Sequence, residues 1–69
     1  MKVNITFETD KGNVSFYTID AVGPNYEPKK YEGYNSTIYS NGIEFHCKLT
    51  LAELWGKLNN IRVQNESNK

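Results

Sequence analysis

The sequence predicts an α+β fold, a small antiparallel sheet of about four strands in two hairpins with one C-terminal helix packed on one face. Apolar and polar residues alternate along most of the chain, and short turn sequences separate the alternating runs. From Leu49 onward the apolar spacing changes to that of a helix. A chain of 69 residues has room for one domain, which we place at residues 1–63.

The first predicted hairpin joins the alternating runs 3–7 and 14–18. Between them the sequence DKGN offers turn residues and a glycine that tolerates positive φ. A two-residue turn at Lys11–Gly12 would place Phe7 opposite Phe16, so the sequence predicts an aromatic pair on one face.

The second hairpin is the strongest local signal, because Asn41–Gly42 suits a type I′ turn between YNSTIYS and IEFHCK. Counting outward from this turn pairs Ile38 with Phe45 and Thr37 with His46. The same count predicts two faces: Ile38, Ile43, Phe45 and Cys47 toward the core, and Tyr39, Glu44 and His46 away from it.

The helix start is predicted by Thr50 and Glu53, which form a capping-box pattern, and by the staple pair Leu49 and Leu54. Residues 64–69 lack apolar periodicity, which indicates a disordered tail. The predicted core is Val3, Ile5, Phe7, Val14, Phe16, Ile38, Phe45, Leu51, Leu54, Trp55, Leu58 and Ile61.

One helix covers one face of a sheet, so the other face should be open. We expect that face to carry Thr6, Tyr17, Ile19, Thr37, Tyr39 and His46. Such an aromatic surface favours pairing with a second copy, and the sequence therefore predicts a possible homodimer.

Composition excludes several classes of protein. Cys47 is the only cysteine and His46 the only histidine, so the chain cannot form an intrachain disulfide or a structural zinc site. The formal net charge is zero, which disfavours nucleic-acid binding. No signal sequence or membrane-length apolar run occurs, and we expect a cytoplasmic protein without a membrane partner.

The sequence also argues against an enzyme. His46 and Cys47 are adjacent in a predicted strand and should point to opposite faces, so they cannot form a catalytic dyad. Asp10 and Asp20 lie where turns commonly place aspartate. The glycines are scattered singly, without a phosphate-binding pattern. We expect no catalytic residues, no metal and no cofactor.

The stretch STIYSNGIEFHCKLTLAELWGKLNNI, residues 36–61, contains a strand, an Asn-Gly turn, a second strand and a glutamate-containing helix start. In this order of elements it resembles the C-terminal half of the small FlbD/SwrD-type flagellar and motility proteins. The resemblance implies a hairpin-helix unit and assigns no functional residue.

The segment PNYEPKKYEGY, residues 24–34, allows two interpretations. As a crossing between hairpins, it would be stiffened by its prolines and would shield the edge of the core. As a recognition loop, it would present tyrosines interleaved with charges, a composition typical of interface hot spots. The candidate binding residues are Tyr17, Tyr26, Lys29, Lys30, Tyr31, Tyr34 and Tyr39.

The leading hypothesis is a small non-enzymatic protein-binding module, a regulator or inhibitor that occludes a partner. Its general character is that of phage or mobile-element proteins that act on a host enzyme or defence system. The alternative is a nucleotide-binding or sequestering protein with its ligand at a subunit interface. Single-stranded nucleic-acid binding by stacked tyrosines ranks third.

Overall fold

The computed structural model describes the backbone of residues 1–67 and the side chains of residues 1–60. It contains a five-stranded antiparallel sheet in the order β2-β1-β5-β4-β3 and one helix, which confirms the α+β class and adds a strand to the predicted four. The elements are β1 (Lys2–Thr9), β2 (Gly12–Thr18), β3 (Ala21–Pro24), β4 (Ser36–Ser40), β5 (Ile43–Cys47) and α1 (Leu51–Ser67).

The additional strand is β3, which pairs with β4 so that Val22 lies opposite Ile38. Its sequence AVGP is short and contains glycine and proline, both depleted in strands, so it carries no alternation signal. Pro24 is tolerated because it ends an edge strand, where a missing N–H costs no ladder hydrogen bond.

The first hairpin forms, but its predicted register was wrong by two residues. Phe7 lies opposite Val14, and Phe16 lies opposite Ile5. Because side chains alternate with period two, a shift of two preserves the faces. The rings of Phe7 and Phe16 therefore still meet, with centroids 6.0 Å apart.

The turn explains the shift. Thr9 pairs with Gly12, so the turn residues are Asp10–Lys11, one position earlier than predicted. The Thr9 hydroxyl donates to the carbonyl of Gly12 at 2.9 Å, and Gly12 adopts φ +94°. A turn followed by a left-handed glycine is a common hairpin connection.

The second hairpin has the predicted turn and register, including the pairs Ile38 with Phe45 and Thr37 with His46. Asn41 and Gly42 adopt φ of 53° and 76°, as a type I′ turn requires. Ile43 was predicted to face the core, but it is 48 % exposed because it lies beside the turn at the end of the hairpin.

The sheet is curled. β2 and β3 form its two edges, yet only residues 19–20 separate them in the chain. In a flat sheet these edges would lie roughly 19 Å apart, whereas the three Cα steps from Thr18 to Ala21 span at most about 11 Å. The Ser40 hydroxyl donates to the carbonyl of Thr18 at 2.5 Å, which ties the end of β2 to β4.

The predicted capping box is present: the Thr50 N–H donates to Glu53 Oε1 at 3.0 Å, and the Glu53 N–H donates to Thr50 Oγ1 at 3.2 Å. The helix backbone runs to Ser67. Residues 68–69 and the side chains from residue 61 lie outside the described residues, so the tail predicted at 64–69 stays a prediction. No helix in the described part of the chain has the length and apolarity to cross a membrane.

The core lies between the sheet and α1, with Leu54 and Leu58 fully buried. Trp55 was predicted as core but is 41 % exposed, because it lies beside the narrow stripe of the helix that buries Leu54 and Leu58. Leu51 is half-buried, and the predicted core residue Ile61 lies outside the described side chains. The buried core is Val3, Phe7, Phe16, Ile19, Ile38, Phe45, Cys47, Leu54 and Leu58.

Candidate protein-interaction site

The tyrosine-rich segment folds back over the outer face of β4 and β5 and is braced by Asn25. The Asn25 side-chain amide donates to the carbonyls of Tyr31 at 2.9 Å and Tyr34 at 3.0 Å. Its oxygen accepts the N–H of Glu27 at 3.0 Å. One side chain thus fixes both ends of the loop.

Further hydrogen bonds order the loop itself and hold its two ends at the sheet. The Tyr31 N–H donates to the carbonyl of Glu27 at 2.9 Å. The Asn35 N–H donates to the carbonyl of Cys47 at 2.8 Å, and the Thr37 hydroxyl donates to the carbonyl of Pro24 at 2.9 Å. The segment is therefore ordered by its own contacts and by the sheet.

Tyr31 lies flat on His46, with ring centroids 3.5 Å apart and 15° between the ring planes. Tyr34 meets the same imidazole edge-on at 6.5 Å. His46 was predicted to be an exposed strand residue, but it is 2 % exposed because these two rings cover it. The loop is part of the folded structure of this face.

The predicted open face is therefore largely covered. Thr37 is buried beneath the loop, and Ile19 belongs to the core because residues 19–20 turn the chain from β2 into β3. Thr6 and Tyr17 are exposed, as predicted, and Tyr39 is half-buried. The face is therefore less open than predicted, and the homodimer stays a prediction.

Two carboxylates flank His46. Nδ1 lies 3.6 Å from Asp10 Oδ2, and Nε2 lies 3.7 Å from Glu44 Oε2, distances beyond good hydrogen bonds. Nδ1 is buried without a hydrogen-bond partner among the described residues. The main chain makes closer contacts: the His46 N–H donates to Asp10 Oδ1 at 2.8 Å, and the Asp10 N–H donates to the His46 carbonyl at 2.9 Å.

These contacts determine the ionisation of Asp10. Burial alone would raise its pKa, but the His46 N–H and the charge of Lys11, 3.5 Å away, outweigh that effect. The pKa of Asp10 is therefore lowered below 3.8. Asp10 joins the first turn to β5, next to the single β1–β5 pair between Thr9 and Cys47.

Tyr39 points outward from β4, opposite Glu44 on β5. Its pKa is raised, first by partial desolvation and then by the hydrogen bond and negative charge of Glu44. The charges of Tyr26 and Glu27 contribute further to this shift.

Tyr26 is the most exposed ring of the loop, at 68 %. The hydroxyl end of its ring rests on β3: a Cβ built on Gly23 would lie 3.0 Å from the Tyr26 hydroxyl. Lys29 and Lys30 are exposed, and Lys30 Nζ lies 5.3 Å from the centroid of the Tyr31 ring. We define the tyrosine surface as Tyr26, Glu27, Lys29, Lys30, Tyr31, Tyr34 and Tyr39.

Tyr17 lies elsewhere. It is 66 % exposed and lines a shallow groove with Val14, Asn41 and Ile43. That groove includes the core-facing side of the second hairpin, whereas Tyr39 is on the outer side. The structure thus brings six of the predicted binding residues together and separates the seventh.

Cys47 and His46 lie on opposite faces of β5. Cys47 is fully buried in the core, and desolvation followed by the charge of Asp10 raises its pKa to about 11. It faces away from His46, as predicted. Within the described residues no cluster of histidine, cysteine or carboxylate side chains could hold a metal ion.

Sequence reasoning missed Asn25 and the contact between Asp10 and His46. Asn25 follows Pro24 and precedes Glu27, and asparagine in such a position commonly forms a local Asx turn, so its role could have been found. The contact between Asp10 and His46 spans 36 residues and has no local signal.

Comparison with protein-family models, with curated proteins and with solved structures finds no match for this chain. The resemblance of residues 36–61 to FlbD/SwrD-type proteins therefore stays an expectation.

Proposed function

We propose that the protein is a small non-enzymatic protein-binding module that occludes a partner through the tyrosine surface. The observation that supports this most is the bracing of the loop by three hydrogen bonds of Asn25. A loop that is already ordered loses little conformational entropy on binding.

The side chains of the surface suit a protein partner. Tyr26 offers a large amphipathic ring with few rotatable bonds, and half-buried Tyr39 adds apolar area beside it. Lys29 and Glu27 supply charges of both signs at the rim, where they would favour a matching partner surface. This combination resembles an aromatic anchor with a polar border.

The partner class follows from the general character of the chain. A regulator or inhibitor encoded by a phage or mobile element would act on a host enzyme or defence protein, and we include this origin in the proposal. The identity of a captured partner would test it.

Affinity capture can test the binding surface with a matched pair of variants. Tyr26 and Tyr17 are equally exposed, at 68 % and 66 %, but only Tyr26 belongs to the tyrosine surface. We expect wild type and Tyr17→Ala to retain one partner in stoichiometric amount and Tyr26→Ala to lose it. Equal recovery by all three proteins, or recovery by none, would contradict the proposal.

Nucleotide binding, the other candidate, would require a free tyrosine face for base stacking. His46 covers one face of Tyr31, and Lys30 Nζ lies over the ring as well. Tyr26 is the one loop tyrosine that is mainly exposed, and a single ring cannot enclose a base between two stacking faces, so we expect no stabilisation by nucleotides in a thermal-shift panel. A ligand at 100 times its dissociation constant would add about 2.7 kcal/mol and would reverse this ranking.

A further inference from the structure

Among the residues that the structure describes, one edge of β1 is largely without a strand partner. Along its other edge β1 pairs with β2 from Lys2 to Thr9, whereas β5 reaches it only at Thr9, through Cys47. A long strand edge with free backbone groups is a template for another strand unless something covers it.

The unpaired edge borders a cleft of about 530 Å³. Five consecutive residues of β1, from Ile5 to Thr9, line the cleft. Side chains of a strand alternate between faces, so consecutive residues can line one cleft only if it runs along the strand edge. Across the cleft lie Tyr34, Lys48, Leu49, Glu53 and Lys57.

Hydrogen bonds at the two ends of β1 show toward which edge its backbone N–H and C=O groups point. The Asp10 N–H donates to the His46 carbonyl on β5, so Asp10 points away from β2. At the other end, Met1 exchanges two backbone bonds with Ile19, at 2.8 Å each, on the β2 side. These directions alternate along a strand, so counting from Asp10 assigns Glu8 and Thr6 to the unpaired edge, and counting from Met1 assigns Lys2 and Asn4 to it. The pairing of β1 with β2 shifts register between Lys2 and Ile5, and the two counts agree on either side of that shift.

We propose that this edge binds the same edge of a second copy, which would join two β1 strands antiparallel across a two-fold axis at Ile5. This register pairs residues 2–8 with residues 8–2 of the copy and stops before Thr9, where β5 is already bound. It places Asn4 opposite Thr6 of the copy, a pair whose backbone groups face each other.

Charge and apolar residues favour this occupant. In the same register Lys2 lies opposite Glu8 of the copy at both ends of the ladder, and opposite charges on facing strands attract. Both side chains are exposed in one copy. Ile5 is only half-buried although Val3 and Phe7 beside it are buried, and the second copy would cover it.

The proposal concerns a different surface from the tyrosine surface and does not depend on it. Its test is the mass of the full chain by light scattering across a concentration series. We expect a dimer that Lys2→Glu and Glu8→Lys each weaken by about tenfold or more, and that the double variant restores. Lys29→Glu, an exposed change on the tyrosine surface, is the control and should leave the dimer unchanged.

Amide hydrogen exchange supplies a second readout. The amides of Asn4 and Thr6 should become protected only at concentrations where the dimer forms, whereas the amide of Phe7, which points to β2, should be protected at every concentration. A monomer at all concentrations, or a dimer that ignores both charge reversals, would overturn the proposal. A monomer that binds an unrelated extended peptide at this edge would overturn it as well.

Discussion

Tyr31 stacks on His46 with ring centroids 3.5 Å apart, and this contact connects the loop to the sheet. We expect Tyr31→Ala to lower the free energy of unfolding by about 1–3 kcal/mol, because it removes a half-buried ring and exposes a buried imidazole. Tyr31→Phe should keep most of the stability. Urea unfolding of both variants would measure the difference.

Tyr17→Ala is the matched control for this prediction, because Tyr17 is exposed and away from the loop. It should change stability by less than about 0.5 kcal/mol. If Tyr31→Ala behaved like Tyr17→Ala, the stacked contact would contribute nothing to the fold.

The ionisation of Asp10 predicts a pH dependence. Its pKa is lower in the folded protein than the ordinary 3.8, so the carboxylate stabilises the fold. This contribution is complete above the unfolded value and is lost as the pH falls through the folded value. Asp10→Asn should therefore be less stable at neutral pH and should flatten the fall in stability that wild type shows as the pH drops below the ordinary aspartate pKa of 3.8.

Thermal unfolding of wild type and Asp10→Asn over this acid range would measure the effect. Parallel profiles for the two proteins would show that Asp10 titrates alike in the folded and unfolded chain, contrary to the prediction.

The Cys47 thiol should be unreactive in the folded protein. Burial raises its pKa to about 11, so little thiolate exists at neutral pH, and the side chain is fully buried. We expect a thiol reagent to label native protein only at the rate of unfolding, and to label protein in denaturant at once. Rapid stoichiometric labelling of the native chain would contradict the placement of Cys47 in the core.

Two glycines should respond to alanine in opposite directions. Gly42 adopts φ +76° in the hairpin turn, where alanine is strained, so Gly42→Ala should cost about 1 kcal/mol. Gly56 lies in the helix with open space around its Cα, so Gly56→Ala should gain up to about 1 kcal/mol. Chemical denaturation of this pair tests the turn and the helix together.

The parts of the fold that the sequence predicts correctly depend on local chemistry. Asn41–Gly42 determines a turn type and with it the register of the second hairpin. Thr50 and Glu53 satisfy each other within one helical turn. In both cases the interacting groups are close in sequence.

The errors depend on competing or distant interactions. The register of the first hairpin follows from a choice between two adjacent turns, which Thr9 decides through its bond to Gly12. The burial of His46 depends on a loop that begins more than ten residues earlier and folds back over it. Alternation in β5 assigns His46 to a face but does not reveal what covers that face.

We propose above all that the tyrosine surface is a preformed site for a protein partner. Site-specific photo-crosslinking tests it most directly, with a photoreactive phenylalanine analogue in place of Tyr26 and, separately, of Tyr17. We expect one discrete adduct with the captured partner from position 26 and none from position 17. Adducts from position 17 alone, or from neither position in a complex that still forms, would contradict it.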